Sequence, residues 1–251
     1  MPRVQSIDDA VTWPAGEGTL GVVGVAPWAT LDFLKALYSQ VAASKDWHYP
    51  RVICDINTKL PSRGRHLELG ERDPSPFIAE TIAELARQGA SAVVVPCNTA
   101  HILYPRWAAH SPVPVPSIVD ATTQSLHEGR ARKAAILASA ALYRHGLYQR
   151  ALDEAGIALC PLLDEEIVLV ADTITAVKTR GGIGQALQPP LERMFARLVH
   201  EGVDGVVLGC TELAGLAPLA SRHAAVVSES NAALACAALR AIGMTPTVSA
   251  A

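Results

Sequence analysis

The chain contains no apolar run as long as the roughly 18 residues that cross a bilayer as a helix. Its opening, MPRVQSIDDAVTWPAGEG, has no basic stretch followed by an apolar one. A secretory signal is therefore not expected, and residues 1–16 are read as an extension ahead of the folded part. Positive charge is not in excess. Lys+Arg 21 against Asp+Glu 24 leaves a net charge of −3 and a pI near 6.2. That gives no electrostatic reason to expect nucleic acid or an anionic membrane as partner. Cysteine is scarce, odd in number and scattered: Cys54, Cys97, Cys160, Cys210 and Cys236. No CxxC and no paired histidine spacing accompanies these residues. Neither a disulfide framework nor a zinc site is expected, and the thiols are read as reduced, in a cytoplasm. There is no Walker A sequence and no GxSxG elbow. The pair Gly182-Ile183-Gly184 lacks a third glycine, because Leu187 holds its place, so a dinucleotide site is not expected either. Nothing points to a metal or an organic cofactor.

What is present is a repeat. Ser91–Ala100 reads SAVVVPCNTA and Asp204–Leu213 reads DGVVLGCTEL, with Cys97 and Cys210 separated by 113 positions. At that offset Ala83, Leu85 and Gly89 match Ala196, Leu198 and Gly202, and Val93-Val94 match Val206-Val207. Each copy runs helix, glycine, short apolar strand, cysteine, polar turn. Two thiols at equivalent places in two half-chains can lie on opposite walls of one cleft, which is the geometry a two-thiol proton-transfer enzyme needs.

With 251 residues, half of them hydrophobic and 18% charged, the chain can bury a sizeable core in one or two domains. Short β-branched runs alternate with helical patterns, which makes the class α/β. Expected strands are Thr19–Val25, Arg51–Asp55, Ala92–Pro96, Ser117–Val119, Lys133–Ala138, Val203–Leu208 and Ala225–Val227. Expected helices are Ala29–Ala42, Pro76–Arg87, Asp120–Glu128, Tyr143–Glu154, Glu165–Lys178, Leu187–Glu201 and Asn231–Ala241. The strands are continuously apolar, as in parallel sheets buried on both faces. Ser111–Pro116, SPVPVP, marks a boundary. The expected lobes are 17–115 plus 225–251, with the last strand and helix returning to the first lobe, and 116–224. Ligands bind such sheets at the carboxyl ends of strands, where both cysteines sit.

Over about Gly21–Ile242 the chain resembles the aspartate/glutamate racemases that work without pyridoxal phosphate. The resemblance rests on Pro96-Cys97-Asn98-Thr99-Ala100-His101 and Gly209-Cys210-Thr211-Glu212. Weaker support comes from Val25-Ala26-Pro27-Trp28-Ala29-Thr30, from Pro61-Ser62-Arg63 and from Val177-Lys178. It implies two similar Rossmann-like lobes with mostly parallel sheets, related by a pseudo-two-fold axis, with the active site between them. It also implies a cofactor-independent isomerase of a small acidic amino acid, and a homodimer. Racemisation removes the α-proton from one face and returns one to the other, so two groups are wanted, one deprotonated and one protonated. A thiol's ordinary pKa of about 8.5 makes either state reachable. A helix start after each cysteine is expected to favour thiolate.

Asn98, Thr99 and Thr211 are candidates to cap those helices or bind the α-carboxylate. Arg63 and Lys178 are candidates for the distal carboxylate, Pro27 and Thr30 for the cleft floor, Glu212 and His101 as partners of the thiols, and Lys59 as a further cation. Trp28 is expected either to line the cleft or to pack beneath a helix. Ser228 stands where relatives commonly carry an acid after the last strand, and the first loop is poorer in glycine than theirs. Hydantoin racemase, maleate isomerase and arylmalonate decarboxylase are rival activities on the same scaffold, the last using one cysteine. A non-catalytic dicarboxylate-binding protein is the rival of another class. For Cys54, Cys160 and Cys236 the default is a small buried hydrophobe.

Overall fold

A computed structural model describes residues 16–180 and 182–247. The first lobe runs β1 (Leu20–Gly24), α1 (Pro27–Ser39), β2 (Val52–Ile56), α2 (Arg63–Leu69), α3 (Ser75–Arg87), β3 (Ala92–Val94), α4 (Asn98–His101) and α5 (Tyr104–Ala108). The chain then continues through α6 (Ile118–Glu128), β4 (Lys133–Leu137), α7 (Ala140–His145), α8 (Leu147–Glu154), β5 (Ala158–Cys160), α9 (Asp164–Arg180) and α10 (Gln188–His200). It ends with β6 (Gly205–Leu208), α11 (Ala217–Ala220), β7 (Val226–Glu229) and α12 (Ser230–Ala241). The expected N-terminal extension lies, but for Gly16, outside the described residues, as does Gly181.

Every strand pairing is parallel. One sheet has the order β2-β1-β3, the other β5-β4-β6-β7. The triplets β2-β1-β3 and β5-β4-β6 correspond one for one, so the repeat in sequence is a repeat in topology. Strands β1, β3 and β6 are wholly buried, β3 although it ends its sheet, while the edge strands β2 and β5 are partly exposed. Alternate residues serve opposite faces, as strand geometry demands. Leu20 and Val22 of β1, with Ala134 and Ile136 of β4, join one core layer that also holds Phe33, Leu126, Tyr148 and Leu234. Val23 faces a second layer with Ile78, Ile82 and Trp107. Ala135 and Leu137 face a third with Leu191, Phe195 and Leu208. The first of these layers spans both lobes. Full burial of side chains of this size contributes about 1.5–3 kcal/mol each, so the lobes share a core rather than merely touch.

Three sequence expectations differ from the fold. The segment 117–119 is not a strand: Ser117 caps α6, its Oγ accepting from the Asp120 N–H at 3.2 Å. The last strand does not return to the first lobe, because β7 pairs with β6. α12 crosses over, packing on α1, α6 and β3, and the residues after it follow, Ile242 accepting from the Gly18 N–H and Thr247 donating to the Gln40 carbonyl. The stretch 143–154 is two helices, broken at Gly146, whose φ of 60° is left-handed. The short exposed strand β5 carries too little pattern to be seen in sequence, and Arg63 opens α2.

Candidate active site

Both cysteines stand where a buried strand ends and a short helical turn begins. Cys97 is the N-cap of α4, and Cys210 is the N-cap of a 3-10 turn, Thr211–Leu216. Both are half-buried just past the carboxyl end of their strands, Cys97 after β3 and Cys210 after β6. The helical turns that follow have 4 and 6 residues. That is too little helix for a full macrodipole, and at Cys210 the backbone's pull toward thiolate, a hydrogen bond from the Glu212 N–H, is outweighed.

The side chains decide instead. Cys210 Sγ donates to Glu212 Oε2 at 2.9 Å, and Thr211 Oγ1 donates to the same oxygen at 3.1 Å. Lys178 Nζ, from the last turn of α9, lies 3.4 Å from Glu212 Oε1. Burial, followed by the neighbouring Glu212 carboxylate, pushes the Cys210 thiol far above its ordinary range. Burial would raise Glu212 too. The hydrogen bond from Cys210, the Lys178 charge and the donors of Glu212's own backbone and Thr211 outweigh it and hold the carboxyl below its usual range. Cys210 therefore rests as a thiol against a carboxylate, the reverse of the thiolate expected from a helix start.

Cys97 has different neighbours. His101 is 1% exposed and committed at both ring nitrogens. Its Nε2 accepts from the Ile118 N–H at 3.1 Å, so Nδ1 carries the proton and donates to the Cys97 carbonyl at 2.9 Å. Burial lowers its pKa to about 4. His101 is thus a neutral strut under the Cys97 backbone and not an acid–base partner of the thiol. Asn98 is also buried. Its Oδ1 accepts from Tyr148 Oη at 2.5 Å and its Nδ2 donates to Ser230 Oγ at 2.9 Å. Its oxygen and one amide hydrogen are therefore engaged in the core, and neither Asn98 nor Thr211 caps a helix with its side chain. Thr99 sits half-buried beside Asn98.

Arg63 lies at the same edge of the first sheet. Its Nη2 donates to the Val25 carbonyl at 3.0 Å and its Nη1 to that of Pro61 at 3.4 Å, while Nε is buried without a partner. α2, which Arg63 opens, packs on α4, the helix capped by Cys97. Thr30 is fully buried and donates to the Ala26 carbonyl at 2.7 Å, so it supports the first loop from below. Pro27 is exposed at the first position of α1, and Lys59 is exposed.

A cleft of about 870 Å³ lies between α1 of the first lobe and the second lobe's α9 end and 211–216 turn. Trp28, Asp32, Lys178, Ile183, Thr211 and Glu212 line it. It reaches Glu212 beside Cys210, but Arg63, Asn98, Pro27 and Thr30 are not in its wall. Trp28 is 78% exposed there, which excludes the core alternative. Sequence reading missed two residues. Tyr148 carried no motif. Glu229, one place after Ser228, ends β7 and caps α12 by accepting from the N–H groups of Asn231 and Ala232. Ser228 itself is buried and donates to the Thr122 carbonyl at 3.0 Å, and the acid at this strand end is the next residue, Glu229. Among the other cysteines Cys160 and Cys236 are buried, whereas Cys54 is exposed. All five are free. Among the described residues no cluster is suited to a metal, and no helix is long and apolar enough to cross a membrane.

Residues 21–238 match the family model described as Asp/Glu/Hydantoin racemase. A glutamate racemase of Gloeobacter violaceus is 26% identical over 179 residues, which are 67% of this chain and 66% of that relative. The match thus spans just under two thirds of that relative's length. A glutamate racemase of Thermus thermophilus is 30% identical over 184 residues, 70% of this chain and 68% of the relative. In fold the chain is similar to Picrophilus torridus aspartate racemase, with a TM-score of 0.78 at 23% identity, covering 90% of this chain and 94% of that one. The chain belongs to the Asp/Glu/Hydantoin racemase family.

Proposed function

We propose that this family member inverts the α-carbon of an acidic amino acid, aspartate or glutamate, using Cys97 and Cys210 as its two bases and no organic cofactor. The observation that carries the reading is the pair of N-cap thiols at equivalent strand ends, one already loaded with a proton against Glu212. When Cys210 is the acid, the Cys97 thiolate takes the α-proton from one face and Cys210 returns one to the other. In the opposite direction Cys210 first gives up its proton, and the Glu212 carboxylate in contact with Sγ is the acceptor. Lys178 and Thr211 steady that carboxylate. The α-carboxylate is held by the Thr99 hydroxyl, by the second Asn98 amide hydrogen and by N–H groups of the two first turns. Such donors stabilise charge that develops on the carboxylate as the proton leaves.

Arg63 is the candidate for the distal carboxylate. Two main-chain carbonyls fix its guanidinium, and its unpartnered Nε–H leaves a donor to be satisfied. One observation favours a second reading, a substrate without a distal carboxylate such as a hydantoin. Lys178 is already paired with Glu212, and Asp32 adds a second negative group to the cleft. A homodimer in the cytoplasm belongs to the first reading.

Incubation in D2O with each enantiomer of aspartate and glutamate tests this function. Deuterium should enter the α-position as the opposite enantiomer forms, without added cofactor, and no wash-in from any of the four would refute it. Arg63→Ala should then lower kcat/KM on the acidic substrates by about 2–5 kcal/mol, the cost of breaking a desolvated charge pair, and spare alanine or a hydantoin. An equal loss on all substrates would make Arg63 structural.

A further inference from the structure

Tyr148 is fully buried in α8 and reaches both cysteine turns. Its hydroxyl donates to Oδ1 of Asn98, the residue after Cys97, at 2.5 Å. Its ring packs against Gly209, the residue before Cys210, so closely that a Cβ there would lie 3.0 Å from Tyr148 Cε2. We propose that Tyr148 is a positioning residue that holds the two thiols in register across the lobes, through its bond to Asn98 and its ring on Gly209. The inference rests on the two-thiol reading above.

The surroundings are built to hold this side chain still. Thr122 Oγ1, from α6, lies 3.4 Å from the hydroxyl and spends its own hydrogen on the Ile118 carbonyl at 2.6 Å. Asn98 is pinned from its other end by Ser230 of α12. Burial keeps the phenol protonated, so it stays a donor. Packing alone does not require the hydroxyl, because phenylalanine would fill nearly the same volume. What phenylalanine cannot do is donate to Asn98 Oδ1, which would then be buried with no donor, a change that releases the turn bearing Cys97.

Register matters because inversion needs both sulfurs aligned with one α-carbon. Exchange of the α-proton with solvent needs only one. A misplacement of about 1 Å can cost about 100-fold in rate. Tyr143, in the neighbouring α7, has a buried hydroxyl without a partner, which makes Tyr143→Phe a matched control.

In D2O, Tyr148→Phe should lower inversion about 100-fold. Single-face deuterium exchange should fall much less, so the ratio of exchange to inversion rises about tenfold or more, with KM within about twofold. Tyr143→Phe should leave the ratio unchanged. A Tyr148→Phe enzyme in which exchange and inversion fall in parallel would show only a loss of folded protein and overturn the proposal. Alkylation of Cys97 and Cys210 by iodoacetamide, followed by peptide mass mapping, gives a readout independent of activity. Both thiols should react faster in Tyr148→Phe than in Tyr143→Phe, and unchanged rates would overturn the strut. If the wild-type protein neither exchanges nor inverts any amino acid, the proposed function fails, and the alkylation rates alone decide the role of Tyr148.

Discussion

The backbone is extended at Cys97 (φ −157°, ψ 107°) and at Cys210 (φ −143°, ψ 134°), and each residue precedes a short helical turn. Around that shared backbone the side chains diverge. The Cys97 turn is anchored by neutral groups: His101 under its carbonyl, and Asn98 tied to Tyr148 and Ser230. The Cys210 turn is charged: Glu212 accepts from the thiol, and Lys178 balances Glu212 from the cleft. A duplicated strand-and-turn thus places two identical thiols in surroundings of different charge, and at Cys210 burial and the Glu212 carboxylate hold the proton on sulfur. Under the proposed function that difference is what lets two copies of one half-site serve as one acid and one base.

Removing the thiols breaks the comparison most severely. Cys97→Ser and Cys210→Ser should each lower inversion in both directions by about 1000-fold, within the range for a lost acid–base group. Each should keep some single-face deuterium exchange in the presence of one enantiomer. If either variant inverts at near the wild-type rate, the two half-sites are not partners.

The neutral side has its own signature in stability. The His101 pKa falls from an ordinary 6.5 to about 4 in the folded protein. Between those values the unfolded chain binds the proton and the native one does not, so stability is complete above pH 6.5 and declines as pH falls toward 4. The loss is of order 3 kcal/mol. Urea midpoints at pH 7.5 and pH 4.5, compared with those of His101→Gln, should show that this part of the pH dependence disappears with the imidazole. An unchanged slope would mean that other groups carry it.

On the charged side, Glu212→Gln should make the two half-sites more alike. Without the carboxylate the Cys210 pKa falls, because that charge and hydrogen bond hold it up. Iodoacetamide should label Cys210 faster at pH 8, and inversion should drop about 100-fold with the proton acceptor gone. Slower labelling would reverse the assigned role of Glu212. The smallest effect is expected at Trp28, where the first lobe's α1 overhangs the Cys210 side of the cleft. Trp28→Leu should change the aspartate-to-glutamate ratio of kcat/KM about tenfold, the value of a methylene's misfit. Its melting temperature should barely move, since the indole is 78% exposed. A large loss of melting temperature with an unchanged ratio would remove Trp28 from the cleft.

The class, the parallel sheets and the two cysteines were legible in sequence. Each is written in short-range pattern: apolar runs of strand length, a 113-residue offset, a proline or glycine before each thiol. Hydrophobic alternation is a local signal, and a duplicated element carries it twice. Strand partners are not local. β7 pairs with β6, and no feature of Ala225–Val227 announces it. The protonation state at Cys210 was likewise invisible. It depends on a carboxylate two residues away and an ammonium from a helix more than 30 residues upstream, brought within 3.4 Å of that carboxylate by packing. Tyr148 shows the same limit. A tyrosine in a helical stretch is unremarkable as sequence, and only the closure of two lobes over a common core places its hydroxyl on one half-site and its ring on the other. Composition and periodicity determine which elements form and which faces they bury. Charge and hydrogen bonding between distant elements act through separations of a few ångströms, and those separations exist only in the folded chain.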